Sequence, residues 1–446
     1  MSEVVAAAQQ GLAGKYKPYP EYKDSGVVWL GEMPSTWVLA KTARYFKIAM
    51  GQTILKEQLE DDGEWPVYSA TEGDHYFGRV NDPQVRLGCG DLVIPARGNS
   101  IGFVKLVKEQ VTTTQTTIYC KHLTQKIYPE YAYYFMVGQK KNLFWFTQTA
   151  IPQITVEEIG SNPILLPSFE EQRTIVAFLD YETARIDRLI AKQQRLIELL
   201  KEKRQAVISH AVTKGLNPNT PMKDSGVEWL GQVPEHWAVG RYKFCNSRII
   251  VGIAEAATHA YVDHGVPLIR STNIKESGLD CSDVLYLNPV FAAQNITKKL
   301  RARDIVTVRT GYPGISAVVP LEFDNSQCFT NLVATPLPQH ESDFLCEYLN
   351  SAVGKSYFEL NAWGSAQKNI SVPILQDFPV AWPSQVEEVE IVSFCKKNNE
   401  KYNKLIDTAT KGIELLQERR TALISAAVTG KIDLRGWTPP ADEVAV

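Results

Sequence analysis

Two stretches of the chain carry mostly apolar side chains in alternating steps of four and three. The first runs through Ile175, Leu179, Glu182, Ile186, Leu189, Gln193, Leu196, Leu200, Lys203 and Val207. The second runs through Ile391, Cys395, Asn398, Tyr402, Leu405, Ala409, Gly412, Leu416, Arg419 and Leu423. This is coiled-coil spacing, and each stretch predicts a helix of about 40 residues, on the order of 60 Å long. A lone helix with such a stripe would expose it to water, so the economical arrangement is an antiparallel pair with one globular domain at each end. The competing arrangement packs each helix only on its own domain.

The segments before these helices, roughly 38–166 and 238–382, have a different pattern. Short runs of strand formers such as "DLVIPARG" and "DIVTVRTG" are punctuated by Gly and Pro, with an occasional helical stretch such as "PEYAYYFMVGQKKNLFWF" from Pro129. Each segment reads as a strand-rich mixed α/β domain.

The two halves are copies at their edges. "KDSGVVWLGEMPSTW" from Lys23 recurs as "KDSGVEWLGQVPEHW" from Lys223, with ten of fifteen positions identical. "IELLKEKRQAVISHAVT" from Ile197 recurs without gaps as "IELLQERRTALISAAVT" from Ile413, an offset of 216 that also aligns "LPS" at Leu166 with "WPS" at Trp382 and "PQIT" at Pro152 with "KNIS" at Lys368. The offset grows from 200 to 216 between the two repeats, so the second variable segment is about sixteen residues longer. The expected fold is α+β: two strand-rich domains joined by two long helices pairing as an antiparallel coiled coil, a pseudo-two-fold internal repeat. Along the chain this gives an N-terminal extension 1–22, a first domain 23–168, a first helix 169–214, a linker and second domain 215–384, a second helix 385–430 and a tail 431–446. Trp29, Trp37, Trp229 and Trp237 of the repeated signature suit either packing within the fold or partner docking, and the structural anchor is the favoured reading.

Composition narrows the class. With 44% hydrophobic, 22% charged and 10% aromatic residues, the 446-residue chain has the make-up of a globular protein with several cores. Its uncharged apolar runs fall far short of the roughly 20 residues of a membrane-spanning helix. The start of the sequence has Glu3 and no basic region before its small apolar run, so a cleaved secretion signal is not expected and the cytoplasm is the expected location. The seven cysteines are scattered, with no C-x-x-C pair, and read as reduced, mostly buried thiols. A net charge of -3 argues against a uniformly basic coat, although nucleic-acid binding needs only a local stripe.

The order of "YKPYPEYKDSGVVWLGEMPSTW", variable domain, "ITVEEIGSNPILLPSFEEQRTIVAFLD" and a helix ending "KEKRQAVISHAVTKGL", then repeated, resembles the specificity (S) subunit of bacterial type I restriction-modification systems. The resemblance runs from about Lys15 to Gly436. It implies two target recognition domains, each reading one half of a bipartite asymmetric site on double-stranded DNA, with the helices acting as spacer and docking two methyltransferase (M) subunits; restriction (R) subunits can join. It further implies a non-catalytic chain without a cofactor of its own, S-adenosylmethionine belonging to the M subunit and ATP with Mg to the R subunit. Two like partners need two like docking surfaces, which a duplicated frame supplies while the middles vary.

Base reading calls for Arg or Lys opposite guanine, Asn or Gln opposite adenine, and apolar groups against thymine methyls. Matching loops occur in both halves: "YSATEGDHYFG" from Tyr68, "ARGNSIGF" from Ala96 and "TTTQTT" from Thr112, against "IRSTNIK" from Ile269, "VRTGYPGI" from Val308 and "FTNL" from Phe329. The candidate DNA contacts are Arg97, Asn99, Ser100, Gln115, Arg270, Asn273, Arg309, Tyr312 and Lys368. Arg97 and Arg309, beside glycines, either meet a phosphate or base or close internal salt bridges; the others serve either DNA or the turns that carry them. Lys368 has Pro152 as its counterpart, so that contact belongs to one half only. The basic clusters Lys140–Lys141, Lys298–Lys299, Arg301 and Arg303 are either solvated faces or phosphate contacts.

Catalytic motifs are absent in the places they would be sought. "NPVF" at Asn288 has Val290 where a methyltransferase tetrapeptide needs proline, "GKS" at Gly354 has Leu349 where a phosphate-binding loop needs glycine, and "PEYK" at Pro20 lacks a nuclease's upstream Asp. His259 and His264 do not form a metal motif. The alternatives to a DNA-reading subunit are a fused restriction-modification enzyme or nuclease, and a duplicated scaffold binding protein or carbohydrate.

Overall fold

A computed structural model describes residues 16–73, 75–144, 152–254, 258–364 and 367–440. The chain forms two compact units that interleave along the sequence, one made of 1–194 with 410–446 and the other of 195–409. The heptad stretches are helices, Phe169–Lys214 and Gln385–Val428, of 46 and 44 residues. Each starts with paired glutamates, Glu170–Glu171 and Glu387–Glu388, where the helix dipole favours negative charge. Each is followed by a glycine in the left-handed region, Gly215 at φ +77° and Gly430 at φ +69°, which ends the helix as only glycine does cheaply.

In each unit the beginning of one long helix lies against the end of the other, which makes the pairing antiparallel. In the first unit Arg420 Nε donates to Asp187 Oδ1 at 3.0 Å, and Ile186 and Leu423 share a core against which Ile190 and Leu416 pack. In the second unit Arg204 Nη1 donates to Asn403 Oδ1 at 2.6 Å.

The seam departs from the sequence expectation in phase. Leu189, Leu196 and Leu405 are exposed, whereas their neighbours Ile190, Ile197 and Ile406 are half-buried; likewise Arg419 is exposed and Arg420 turns inward. Leu–Ile pairs at these places fit either phase. The helix steps by four from Ile186 to Ile190, as a 3.6-residue period requires from time to time when a strict 3.5 repeat drifts.

Each unit is built on a four-stranded antiparallel sheet with the same connectivity. In the first unit the order is Phe46–Met50, Thr117–His122, Leu92–Pro95, Lys105–Leu106. In the second it is Asn246–Val251, Leu332–Pro336, Ile305–Thr307, Ser316–Val318. Leu92, Val93, Ile94, Ile305 and Val306 are all buried, which is why "DLVIP" and "DIVTV" read as unbroken apolar runs and not as alternation. A second sheet flanks the first in both units, with a parallel pairing of Trp65–Tyr68 to Thr112–Thr113 and of Val266–Ile269 to Gln327–Cys328. Between Ile269 and Ile305 the second unit adds the hairpin Ile274–Lys275 with Gly278–Leu279 and the helix Pro289–Gln294.

The repeated signature proves to be an anchor. Gly26 N donates to Asp24 Oδ1 and Val27 N to Ser25 Oγ, and Gly26 and Gly31 take positive φ; Asp224, Ser225, Gly226, Val227 and Gly231 repeat the same bonds and angles. These turns bury Trp37 and Trp237 completely, and each indole Nε1 donates to a carboxylate in the first turn of a long helix at 3.1 Å, Trp37 to Glu171 and Trp237 to Glu387. Acidic N-terminal turns and the second signature tryptophan therefore form one device, made twice.

In both units a cavity lies where a helix of the domain, Pro129–Gly138 or Ser342–Asn350, meets the long helices, and the two differ in the polar groups that line it. In the first unit it measures about 530 Å³, and Tyr134 OH donates to Asp180 at 2.6 Å on its wall. In the second it measures about 380 Å³ and is lined by Arg204, Glu276, Asp343, Glu347, Lys396 and Asn399. Burial, with Asp343 and Glu276 adding repulsion, pushes the Glu347 carboxyl up to about 7, against a hydrogen bond from Asn399 and the charge of Arg204. Between the ordinary 4.5 and 7 the folded unit holds more protons than the unfolded chain, so its stability falls as pH rises through that window and levels off above it. The expected loss is on the order of 2 kcal/mol. Denaturant unfolding at pH 5 and pH 7.5 checks it, and Glu347→Gln should flatten the difference.

Candidate nucleic-acid interface

Antiparallel pairing brings three loops of the first unit to one end of its main sheet: the loop after Met50, the loop after Pro95 and the loop before Thr117. Backbone bonds fasten them together. Gly51 N donates to Thr117 O, Ala96 N to Thr116 O, and Gln52 bridges Thr114. Thr114 N donates to Tyr68 O, which adds the Tyr68 loop, and Gly98 N to Pro152 O and Ile154 N to Ala96 O add "PQIT". A Cβ on Gly51 would stand 2.3 Å from Thr114 O, so only glycine permits this approach.

The second unit repeats the cluster. Gly252 N donates to Asn331 O, Ile253 bridges Phe329, Gly311 N donates to Lys368 O and Ile370 N to Arg309 O. A Cβ on Gly252 would lie 2.2 Å from Cys328 O. The glycines beside the two arginines, Gly98 at φ +76° and Gly311 at φ +94°, face open space.

The nine sequence candidates fall into three groups. Arg97, Asn99 and Gln115 are exposed on the first cluster, and Gln115 Oε1 accepts from Thr53 Oγ1 at 3.0 Å. Tyr312 is 83% exposed on the second, and Arg309 is half-buried with its Nε lacking a hydrogen-bond partner. Among the described residues neither Arg97 nor Arg309 makes a salt bridge, so the internal-pair alternative does not describe them.

Arg270 and Lys368 are committed to ion pairs. Arg270 Nη2 sits 2.8 Å from Asp283 Oδ2 and also donates to the Asp283 carbonyl, while Lys368 Nζ lies 3.5 Å from Glu359 on an open surface. Ser100 and Asn273 are buried braces: Ser100 Oγ donates to Ala70 O, and Asn273 accepts from Arg270 N while donating to Asp280 O and Asp283 O. A buried amide with its bonds filled has nothing left for a base edge.

Of the basic clusters, Arg303 pairs with Glu341 at 3.3 Å and Lys140 lies over the Phe103 ring. Residues 148–151 of "QTAIPQIT" and 365–366 of "WGSAQKNIS" lie outside the described residues. Thr53 was missed from sequence; the strand-then-glycine pattern shared by "KIAMGQT" and "IIVGIAE" is the signal that marks its loop.

Among the described residues no group of three His, Cys, Asp or Glu is placed to hold a metal, and no helix is long and apolar enough to cross a membrane. Five cysteines are buried and two exposed, none in a disulfide.

Residues 34–199, over a third of the chain, match a family model described as the type I restriction modification DNA specificity domain. Over 254 residues the chain is 24% identical to the Type I restriction enzyme EcoBI specificity subunit of Escherichia coli, a match covering 54% of this chain and 53% of that protein. The match thus spans about half the length of this curated relative. Two solved structures share the fold at 14% identity: one from work on complex assembly and conformational transition of the type I R-M system, with TM-score 0.68 over 89% of this chain and 98% of that one, and the HsdS subunit from Thermoanaerobacter tengcongensis, with TM-score 0.50 over 90% and 98%. A matched specificity domain, a relative that is itself a specificity subunit and a fold shared over most of the chain converge: residues 34–199 carry a type I restriction modification DNA specificity domain, and the chain as a whole is similar to specificity subunits of type I restriction-modification systems.

Proposed function

We propose that each unit reads one half of a bipartite DNA site through its loop cluster, and that the chain does so as a non-catalytic subunit. The observation that carries this reading is the pairing of one loop framework with two unlike sets of side chains, the exposed Arg97, Asn99 and Gln115 on one and the exposed Tyr312 with the half-buried Arg309 on the other. A constant frame holds each cluster in place while the variable side chains confer a different preference in each half. Ser100 and Asn273 hold the loops, and Arg270 and Lys368 reach DNA only by exchanging their present partners for phosphates.

In this reading two methyltransferase subunits dock on the long helices, whose Leu189, Leu196, Leu199, Leu405 and Leu415 leave apolar surface in water. The helices' fixed length sets the gap between half-sites. S-adenosylmethionine, ATP and Mg serve the partner subunits, and restriction subunits join the assembled complex.

The test is to co-express the chain with its methyltransferase partner and map methylated adenines across a genome. One two-part motif with a constant gap is the expected result; methylation without such a motif sinks the reading. Arg97→Ala should relax base preference in one half and Arg309→Ala in the other, each weakening binding by about 1–3 kcal/mol if the contact is to a base. A uniform loss across sequences with a shallower salt dependence would instead assign that arginine to phosphate.

A further inference from the structure

The second cluster carries two large rings that the fold does not use. Tyr312 is 83% exposed and Trp363 is 57% exposed. The backbone mounts both residues on one ladder, because Asn369 bridges Thr310, two residues before Tyr312, and Trp363. Trp363 N donates to Asn369 O at 3.0 Å and Asn369 N to Trp363 O at 2.8 Å, and Gly311 N ties the Tyr312 loop to Lys368 O at 3.1 Å. The two residues are therefore mounted on a braced ladder, flanked by the cation Arg309 and by Lys368, whose ammonium is shared with Glu359. Exposed aromatic area beside positive charge suits a ligand that offers anions next to apolar groups. The major groove offers that combination: phosphates along its walls and, as the one apolar group on its base edges, the thymine C5-methyl.

We propose that Tyr312 and Trp363 read a thymine methyl in the half-site bound by the second unit. This rests on the DNA-reading function proposed above. Hydrogen-bond readout by Arg309 and methyl readout by the rings then divide the work of that half-site.

The test replaces each thymine of the mapped second half-site by deoxyuridine, which removes only the methyl, and measures duplex binding by the assembled methyltransferase complex through fluorescence anisotropy. One replacement should weaken the wild-type complex about 4-fold, the worth of one buried methyl-sized group. A complex with Tyr312→Ala and Trp363→Ala should bind the thymine and deoxyuridine duplexes equally. Tyr312→Phe, which keeps the ring, should retain the difference. Because both side chains are largely solvent-facing, unchanged hydrogen-exchange protection of the second unit serves as the folding control. If every deoxyuridine duplex binds like its parent, or if the doubly substituted complex keeps the full 4-fold difference, the proposal is overturned while sequence-specific DNA reading stands. A wild-type complex that shows no sequence preference at all removes both.

Discussion

Replacing Trp237 with alanine is expected to destabilise the second unit by about 3–5 kcal/mol, the usual cost of emptying a large aromatic site in a packed core. The indole is fully buried, packs edge-on against Phe344 and donates to Glu387 Oε1. Its backbone N–H closes the turn from Pro234, and its ring faces Gly215, just past the end of the first long helix, where an added Cβ would come within 3.5 Å of it. One side chain thus fastens the repeated signature to the start of one helix and the end of the other inside that unit.

Trp237→Phe refills most of the volume but withdraws the N–H donor from Glu387, which keeps its contact with His236 Nε2 at 2.8 Å; a cost of about 1–2 kcal/mol is expected. A chain of this size with two units is not a two-state system, so the measurement is hydrogen exchange resolved by segment. Protection should drop around 223–237 and 385–395 and stay unchanged in the first unit. Unaltered protection in the alanine variant would show that the signature is not an anchor.

The sequence disclosed the frame of this protein better than its working surface, for physical reasons. Heptads report burial directly, so both long helices were legible; their phase was not, because Leu189–Ile190, Leu196–Ile197 and Leu405–Ile406 offer an apolar side chain to either choice. Trp37 and Trp237 were readable as anchors because an aromatic repeated with its turn residues is costly to keep unless it is buried; the first tryptophan of each signature, half-buried Trp29 and 37% exposed Trp229, is not sealed in the same way. Loop residues carry no such signal. Ser100 and Asn99 stand side by side in one polar stretch, yet one is buried against Ala70 O and the other is exposed. Whether a short polar side chain serves the loop or a ligand depends on which backbone groups the fold leaves unpaired, and that is settled by contacts distant in sequence. Arg97 and Arg270 make the same point with charge: the first has no acidic partner among the described residues, and the second found Asp283 thirteen positions on.

Glu388 is the place where the two copies solve one problem differently, and its substitution should have the other large effect. In the first unit Gln172 Oε1 accepts from Tyr128 N at 2.7 Å, at the entry to the helix Pro129–Gly138, while its Nε2 donates to the Lys126 and Pro167 carbonyls. In the second unit Glu388 Oε2 accepts from Glu341 N at 2.6 Å, at the entry to Ser342–Asn350, and its other oxygen lies 2.8 Å from His340 Nδ1. Glu388 and His340 are both buried. Glu388→Ala strands the imidazole and a buried N–H together, with an expected cost of about 3–5 kcal/mol. Glu388→Gln preserves the acceptor for Glu341 N, as glutamine does in the first unit, and should cost about 1 kcal/mol. The reverse exchange, Gln172→Glu, sets a carboxylate against two carbonyl oxygens where no histidine stands, so it should be far more damaging than Glu388→Gln. Segment-resolved exchange and denaturant unfolding of the three variants decide the matter. Equal losses for Glu388→Ala and Glu388→Gln would mean that the charge itself, and not the brace on the helix entry, holds this corner of the second unit.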